Sequence, residues 1–256
     1  MNNNLSHIKN LLDIEAERKN HNEGLMEAAD PLRVAKPYNN DVIALICALF
    51  AYGNAKLIEK FLLSLDFSAL DDNEKTIEEK LQGRYYRFQT NEDVIEIFKT
   101  FARFKKKHSL EDVFLKGYKA KEDILDGLRE LISMLYDINP YRSNGYEFLI
   151  GKIPSCNPSS PYKRWNMFLR WMVRDDKLDM GLWKRVKKSS LLMPLDVHTF
   201  NVSKKLSLLN RKTYDFKAVL ELTQTLRGFD INDPVRYDFA IYRLGQSKEI
   251  EKAGKI

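Results

Sequence analysis

Cysteine is scarce in this sequence: Cys47 and Cys156 are its only two cysteines among 256 residues. Two cysteines so far apart form neither a disulfide framework nor a zinc site, so a reducing compartment is the default expectation. The sequence also lacks a phosphate-binding loop, a glycine pattern for dinucleotides, His/Cys spacing for a metal and any internal repeat. We therefore expect no metal and no organic cofactor.

Long apolar runs are missing as well. No stretch of the sequence is long and apolar enough to span a membrane. The first residues, M-N-N-N-L-S-H, lack the apolar core of a signal peptide. These two observations favour a cytoplasmic protein without a membrane partner.

The charge balance is modestly basic, with 42 Lys+Arg against 36 Asp+Glu, a net charge of +6 and a pI near 9.1. This balance suits a polyanionic partner, although an excess this small does not prove one. A chain of 256 residues can bury a substantial core, as one large domain or two closely coupled lobes.

Helical spacing of apolar residues runs through the chain, and no segment reads as a convincing β-sheet, so the sequence predicts an all-α fold. Between the helices, Asp175–Asp179 is interpreted as an exposed connector, and Gly245 as the C-cap of the last helix. The predicted helical segments are Met1–Ala29, Val42–Leu65 with a break at Gly53–Asn54, a helix capped by Thr90 or Asn91, two helices between Leu110 and Tyr136, a first hairpin arm over Tyr146–Ile153, and later helices around Phe216–Leu226 and Val235–Gly245.

Lys163 follows the proline-rich turn S-C-N-P-S-S-P-Y, and proline favours the first turn of a helix. The residues after it form an amphipathic helix whose apolar stripe is Trp165, Phe168, Leu169 and Met172. Lys163 lies off this stripe. The partial positive charge at a helix N-terminus and desolvation both disfavour a protonated amine, and such a lysine can form a Schiff base. The alternative is a solvated surface lysine.

Asp196 lies in a second such turn, M-P-L-D-V-H-T-F, directly before another helix. Its carboxylate is well placed to accept backbone N–H bonds as an N-cap, which is the ordinary role of an aspartate at this position. A lysine and an aspartate at two helix N-termini of a basic protein suggest amine chemistry on nucleic acid.

Together the two segments resemble the helix-hairpin-helix DNA glycosylase superfamily. P-L-D-V-H-T-F-N-V-S-K-K-L-S-L-L is similar to the segment around that superfamily's essential aspartate, with Asp196, His198 and Leu206 at matching positions. Lys163 lies 33 residues before Asp196, a spacing similar to the archaeal 8-oxoguanine DNA glycosylase branch. A bacterial family of formerly unassigned function also resembles this sequence over nearly its whole length, in D-P-L-R, Y-R-F-Q, N-M-F-L-R-W-M-V-R and P-L-D-x-H-T.

The sequence departs from the characterised glycosylases at the hairpin. S-C-N-P-S-S-P stands where they have the glycine-rich L-P-G-V-G-x-K, so this segment lacks the glycines of the phosphate-capturing hairpin. No cysteine follows Cys156, so the iron–sulfur cluster of endonuclease III has no ligands here.

The resemblance implies an all-α, two-lobed helical bundle of the helix-hairpin-helix glycosylase type with a central DNA-binding cleft. Its single glycosylase-like unit would span 1–256, with an N-terminal helix over 1–29, a helical core over 30–245, a hairpin at about 144–174 and a flexible tail over 246–256.

The resemblance also implies functional residues. Lys163 would be the Schiff-base nucleophile, and Asp196 would steady the cationic sugar. The base pocket would contain Asn54, Phe88, Met167, Asp238 and Tyr242, and the DNA contacts would be Tyr52, Arg87, Ser159, Ser160, Arg164 and His198. For Asn54 the alternative is a surface residue at a helix kink, and for the turn around Phe88 an ordinary loop.

The implied function is a base-excision-repair glycosylase and AP lyase that removes an oxidised purine, 8-oxoguanine, from double-stranded DNA as a monomer in the bacterial nucleoid. Two alternatives remain open: a monofunctional glycosylase for alkylated bases, which uses Asp196 and water, and a non-catalytic module that binds damaged DNA.

Overall fold

The computed structural model of this chain describes residues 3–246. This part of the chain is all-α, as expected, and contains no β-strand. Its α-helices are α1 Asn3–Lys19, α2 Asn22–Met26, α3 Pro31–Ala35, α4 Asp41–Leu49, α5 Ala55–Leu63, α6 Glu74–Leu81, α7 Asn91–Lys105, α8 Leu110–Tyr118, α9 Ile124–Ile138, α10 Asn144–Ile150, α11 Lys163–Val173, α12 Val197–Lys205, α13 Phe216–Arg227 and α14 Asp238–Gln246. None of these helices has the length and apolar character needed to cross a membrane.

The described residues fall into two compact units. The continuous unit contains Ala29–Ser155, and the split unit combines the residues up to Ala28 with those from Cys156 onward. The residues from 247 to 256, most of the predicted tail, lie outside the described part of the chain.

The continuous unit is built around α4 and α7. Every residue of α4 from Val42 to Leu49 is buried, in agreement with its apolar sequence. Thr90 caps α7 through a reciprocal capping box with Asp93, which satisfies two backbone donors at the helix start. Gly53, at φ +100°, separates α4 from α5, so the predicted break at Gly53–Asn54 is confirmed.

The split unit joins α1 and α2 to α11–α14. The apolar face of α1, which includes Ile8 and Leu12, is buried. Two hydrogen bonds attach α1 and its end to the segment before α14: Tyr237 Oη donates to Asp13 Oδ1 at 2.8 Å, and Asn20 Nδ2 donates to the Arg236 carbonyl at 2.8 Å. The N-terminal residues thereby complete the core of a unit whose other part begins at residue 156.

Three sequence predictions about local structure are wrong. The N-terminal segment forms two helices rather than one, because His21 adopts an extended backbone and its side chain caps α2. Asp179 in the expected exposed connector is buried, because two arginines of the preceding segment pair with it. Gly245 lies within α14, where it allows α12 to approach closely.

Candidate functional site

Lys163 is the first residue of α11, as the prolines before it predicted. Tyr162 before it has a left-handed backbone, with φ 48°, and provides no side-chain cap. The Lys163 side chain is half-buried, and its Nζ lies 3.3 Å from Sδ of Met167, one turn along the helix. Met167 itself is buried. The amine therefore lies against apolar surface near a helix N-terminus.

The loop before α11 is anchored without a glycine-rich hairpin. The Ser159 carbonyl accepts a hydrogen bond from the backbone N–H of Phe216 at 3.2 Å. Asn166 Nδ2 donates to the Pro161 carbonyl at 3.1 Å. The side chains of Ser159 and Ser160 are exposed, and that of Arg164 is half-buried. One long-range hydrogen bond to the start of α13 and one local hydrogen bond from α11 thus hold this loop.

Asp196 is the N-cap of α12, where its Oδ1 accepts the backbone N–H of Thr199 at 2.7 Å. Its side chain is half-buried, so it is only partly shielded from solvent. The preceding turn is fixed by Tyr214, whose hydroxyl donates to the Leu195 carbonyl at 2.9 Å. Burial raises the pKa of Tyr214 to about 12, and the Asp196 carboxylate contributes to this shift.

Asp238 begins α14, is buried, and accepts a hydrogen bond from Arg170 Nη1 on α11. Burial raises the pKa of the Asp238 carboxyl, and the negative charge of Asp196 adds to this effect. Arg170 and then Lys163 act in the opposite direction through their positive charges. The direct contact here is the Arg170–Asp238 pair, which joins α11 to the start of α14 and forms one end of a charged region. Lys163 and Asp196 affect the pKa of Asp238 only through the charges that they carry.

The charged region extends inward through a buried ion-pair chain. Arg170 Nε donates to Asp179 Oδ1 at 3.1 Å, and Arg174 Nη1 donates to the other oxygen of Asp179 at 2.5 Å. Arg174 also pairs with Asp233 at 3.0 Å. Arg174 pairs with the more exposed Asp176 as well, at 2.8 Å. Two guanidinium groups thus face four carboxylates, so the carboxylates outnumber the cationic groups in this set.

His198 and Tyr242 lie together where α12 packs against α14. Their ring centroids are 5.8 Å apart, in an edge-to-face arrangement. His198 Nε2 is buried without a hydrogen-bond partner among the described residues. A Cβ on Gly245 would lie 2.1 Å from this nitrogen, so the close approach of the two helices requires glycine there.

Four of the expected site residues belong to the continuous unit: Tyr52, Asn54, Arg87 and Phe88. Asn54 is exposed and caps α5, since its Oδ1 accepts the backbone N–H of Lys56 at 3.0 Å. Tyr52, Arg87 and Phe88 form one surface cluster, in which the Arg87 guanidinium lies 5.3 Å from the Tyr52 ring centroid.

The sequence placed Arg170 in line with Lys163 but gave it no partner or role, and Phe148 was not predicted as a site residue. Helical spacing places Arg170 two turns after Lys163 on the same side of the helix. Its partner Asp238 is 68 residues away, so the ion pair itself could not be predicted from local sequence. Phe148 is exposed on α10, and its ring lies 4.7 Å from that of Tyr52. Among the described residues, no group of three or more His, Cys, Asp or Glu side chains is placed to hold a metal ion.

Over the described residues the protein is therefore all-α, with a lysine and two aspartates at the starts of α11, α12 and α14 of the split unit. Residues 30–247 match the protein family described as "Protein of unknown function (DUF2400)", and the chain belongs to this family. No curated protein and no solved structure gives a significant match.

Proposed function

We propose that this protein is a DNA glycosylase and AP lyase of the helix-hairpin-helix type, which accepts a damaged nucleotide in a DNA-binding cleft. The observation that carries the proposal is that α11, which begins at Lys163, and α12, which Asp196 caps, both contact α14. Arg170 of α11 pairs with the buried Asp238, and the His198 ring of α12 lies 5.8 Å from that of Tyr242. The resemblance of the Asp196 segment to the glycosylases supplies the substrate class, an oxidised purine with 8-oxoguanine as the first choice.

In the proposed reaction the Lys163 amine forms a bond to the sugar C1′ as the N-glycosidic bond breaks. The departing base takes the electron pair of that bond and the proton that the attacking amine loses. The nitrogen lone pair then opens the sugar ring, O4′ takes a proton from water, and an iminium ion forms. Water removes a C2′ proton, the C3′–O bond breaks with its electron pair on the 3′ phosphate, and hydrolysis of the imine returns free Lys163. The strand is thereby cut on the 3′ side of the lesion.

Electrostatics support this role of the split unit. Departure of the base places positive charge on the sugar. The iminium ion then carries positive charge on the lysine nitrogen. The Asp196 carboxylate and the excess negative charge of the buried ion-pair chain favour positive charge there. Fixed charges of this kind cost no reorganisation during the reaction.

Extrusion of a nucleotide from the duplex costs a few kcal/mol, which is smaller for weakened pairs. On this proposal, Met167 and Tyr242 are the apolar and aromatic neighbours of the extruded base, and Asp238 is its polar neighbour. Arg164, Ser159, Ser160 and His198 are the proposed contacts to the DNA strand.

The experiment is a panel of duplexes that each carry one lesion, incubated with excess wild-type protein. Release of 8-oxoguanine, measured by mass spectrometry, together with strand cleavage on a denaturing gel is the expected result. Release of an alkylated base without cleavage would instead assign the monofunctional activity. Binding to damaged duplexes without release of any base would leave only the non-catalytic module.

A further inference from the structure

A tight turn on the continuous unit presents an arginine and a phenylalanine at its tip. The backbone N–H of Tyr86 donates to the Gln89 carbonyl at 3.3 Å, and that of Gln89 donates to the Tyr86 carbonyl at 2.9 Å. Arg87, between them, has φ +55°, a left-handed conformation that costs a non-glycine residue roughly 1–2 kcal/mol. The fold maintains this turn against a local conformational cost.

The turn is fixed to the junction of α4 and α5 by side chains. The Tyr86 hydroxyl donates to the Tyr52 carbonyl at 2.7 Å, and the Tyr52 hydroxyl donates to Oε1 of the buried Gln89. Arg87 also lies so close to Gly53 that a Cβ there would be 2.3 Å from Nη1. These contacts restrict the positions that the turn and its two tip residues can adopt.

Three aromatic rings meet beside this turn, and we call Tyr52, Phe88 and Phe148 with Arg87 the aromatic corner. The Phe88 and Phe148 centroids are 5.0 Å apart, and Phe148 lies 4.7 Å from Tyr52. Phe88 is 53% exposed and Phe148 is 39% exposed. Burying a phenylalanine gains about 1.5–3 kcal/mol, so two exposed rings on one rigid surface are not explained by the stability of the fold.

We propose that the aromatic corner binds an unstacked nucleobase of single-stranded nucleic acid. Phe88 and Phe148 supply the ring faces for stacking, and Arg87 contacts the adjacent phosphate. Aromatic rings next to a guanidinium are the combination that binds single strands with little sequence preference. The chain's net charge of +6 favours the same partner over an apolar protein surface.

This proposal goes beyond the base-pocket role that the resemblance implies for Phe88. It is independent of Lys163 chemistry, because an undamaged base is sufficient for stacking. All residues of the aromatic corner belong to the continuous unit, whereas Lys163 and Asp196 belong to the split unit.

The test uses the full chain and a short undamaged single-stranded oligonucleotide with one 2-aminopurine, whose fluorescence falls when it stacks. Wild-type protein should quench this fluorescence. Phe88→Leu and Phe148→Leu should each weaken binding about tenfold, because leucine keeps the apolar character and lacks the ring face. Neither phenylalanine change should alter the salt dependence of binding. Arg87→Gln removes one phosphate contact, so the negative slope of log association constant against log[salt] should become shallower by about 0.7.

The matched control is Tyr85→Leu, which removes another highly exposed ring one residue before the turn, and it should bind like wild type. Absence of quenching, or equal affinity of wild type and both phenylalanine variants, would overturn the proposal. Loss of a dimer in the Phe88→Leu variant, measured by sedimentation in the absence of nucleic acid, would also overturn it, because the surface would then serve self-association. The oligonucleotide carries no lesion, so these outcomes do not depend on whether the protein excises bases.

Discussion

At the scale of single residues, each charged side chain at the candidate site also has a structural role. Asp196 caps α12, Asp238 pairs with Arg170, and Lys163 lies against Met167. A capping or pairing role alone would explain the first two without any chemistry. Substitutions that keep the structural role and remove the charge therefore separate the two explanations.

Asp196→Asn is the sharpest such substitution. Asparagine caps a helix about as well as aspartate, since its amide oxygen can still accept the Thr199 N–H, so the free energy of unfolding should change by less than about 0.5 kcal/mol. Loss of the carboxylate should lower single-turnover base release by about 100-fold or more, as removal of one electrostatic group does in other sites. Denaturant unfolding and a single-turnover assay measure the two effects.

The control for Asp196→Asn is Asp123→Asn. Asp123 caps α9 in the same way, with its Oδ1 3.0 Å from the backbone nitrogen of Asp126, but belongs to the continuous unit. The Asp123→Asn substitution should change neither the free energy of unfolding nor the rate of base release. Equal activity of the two asparagine variants would leave Asp196 with capping as its only role.

Residue-scale prediction succeeded where the cause is local. The prolines before Lys163 and the aspartate before Val197 identify the starts of α11 and α12 from a few neighbouring letters. The burial of Asp179 could not be predicted in this way, because its charge is balanced by Arg170 and Arg174, both outside the acidic run that looked exposed.

At the scale of helices, periodicity and caps identified most of the helical segments. α8 and α9 were expected from apolar spacing, and the break between α4 and α5 from Gly53–Asn54. The end of α14 was misplaced because a late glycine usually terminates a helix. Here the glycine serves packing instead, since His198 and Val202 of α12 lie where its side chain would be.

Gly245→Ala should therefore destabilise the protein, although alanine has the higher helix propensity. Its Cβ would lie 2.1 Å from His198 Nε2 and 2.6 Å from Val202 Cγ2. Overpacking of about 1–3 kcal/mol exceeds the propensity gain of about 1 kcal/mol. Thermal unfolding measures the net loss.

A double-mutant cycle identifies the cause of that loss. His198→Ala removes the ring that the new methyl group would meet, so Gly245→Ala should cost less in the His198→Ala background. Equal costs in both backgrounds would contradict the close packing of α12 on α14 as the reason for glycine.

At the scale of the whole molecule, the chain does not divide in sequence order. α1 and α2 complete the split unit, although the family match begins only at residue 30. Sequence periodicity predicted helix in this segment but gave no information about its partner. The contacts that reveal the partner, such as Tyr237 with Asp13, join residues 224 positions apart.

Leu12→Ala should accordingly weaken the split unit selectively. Leu12 is fully buried, and a leucine-to-alanine change in a core costs about 2–5 kcal/mol. Hydrogen exchange followed by mass spectrometry should show faster exchange in peptides from 156–246, with little change in those from 29–155. Ile14→Ala is the control on the same helix, because Ile14 is 60% exposed and should have almost no effect.

The central proposal is that Lys163 of the split unit acts as a nucleophile, with the Asp196 carboxylate of the same unit as its electrostatic partner. The most direct measurement is reduction with borohydride during incubation with an 8-oxoguanine duplex, followed by peptide mapping of the product. We predict a covalent protein–DNA complex attached at Lys163, which is absent for Lys163→Gln and retained for Lys184→Gln, a change at an exposed lysine of the same unit. An adduct on another residue, or equal trapping of Lys163→Gln and wild type, would contradict the account.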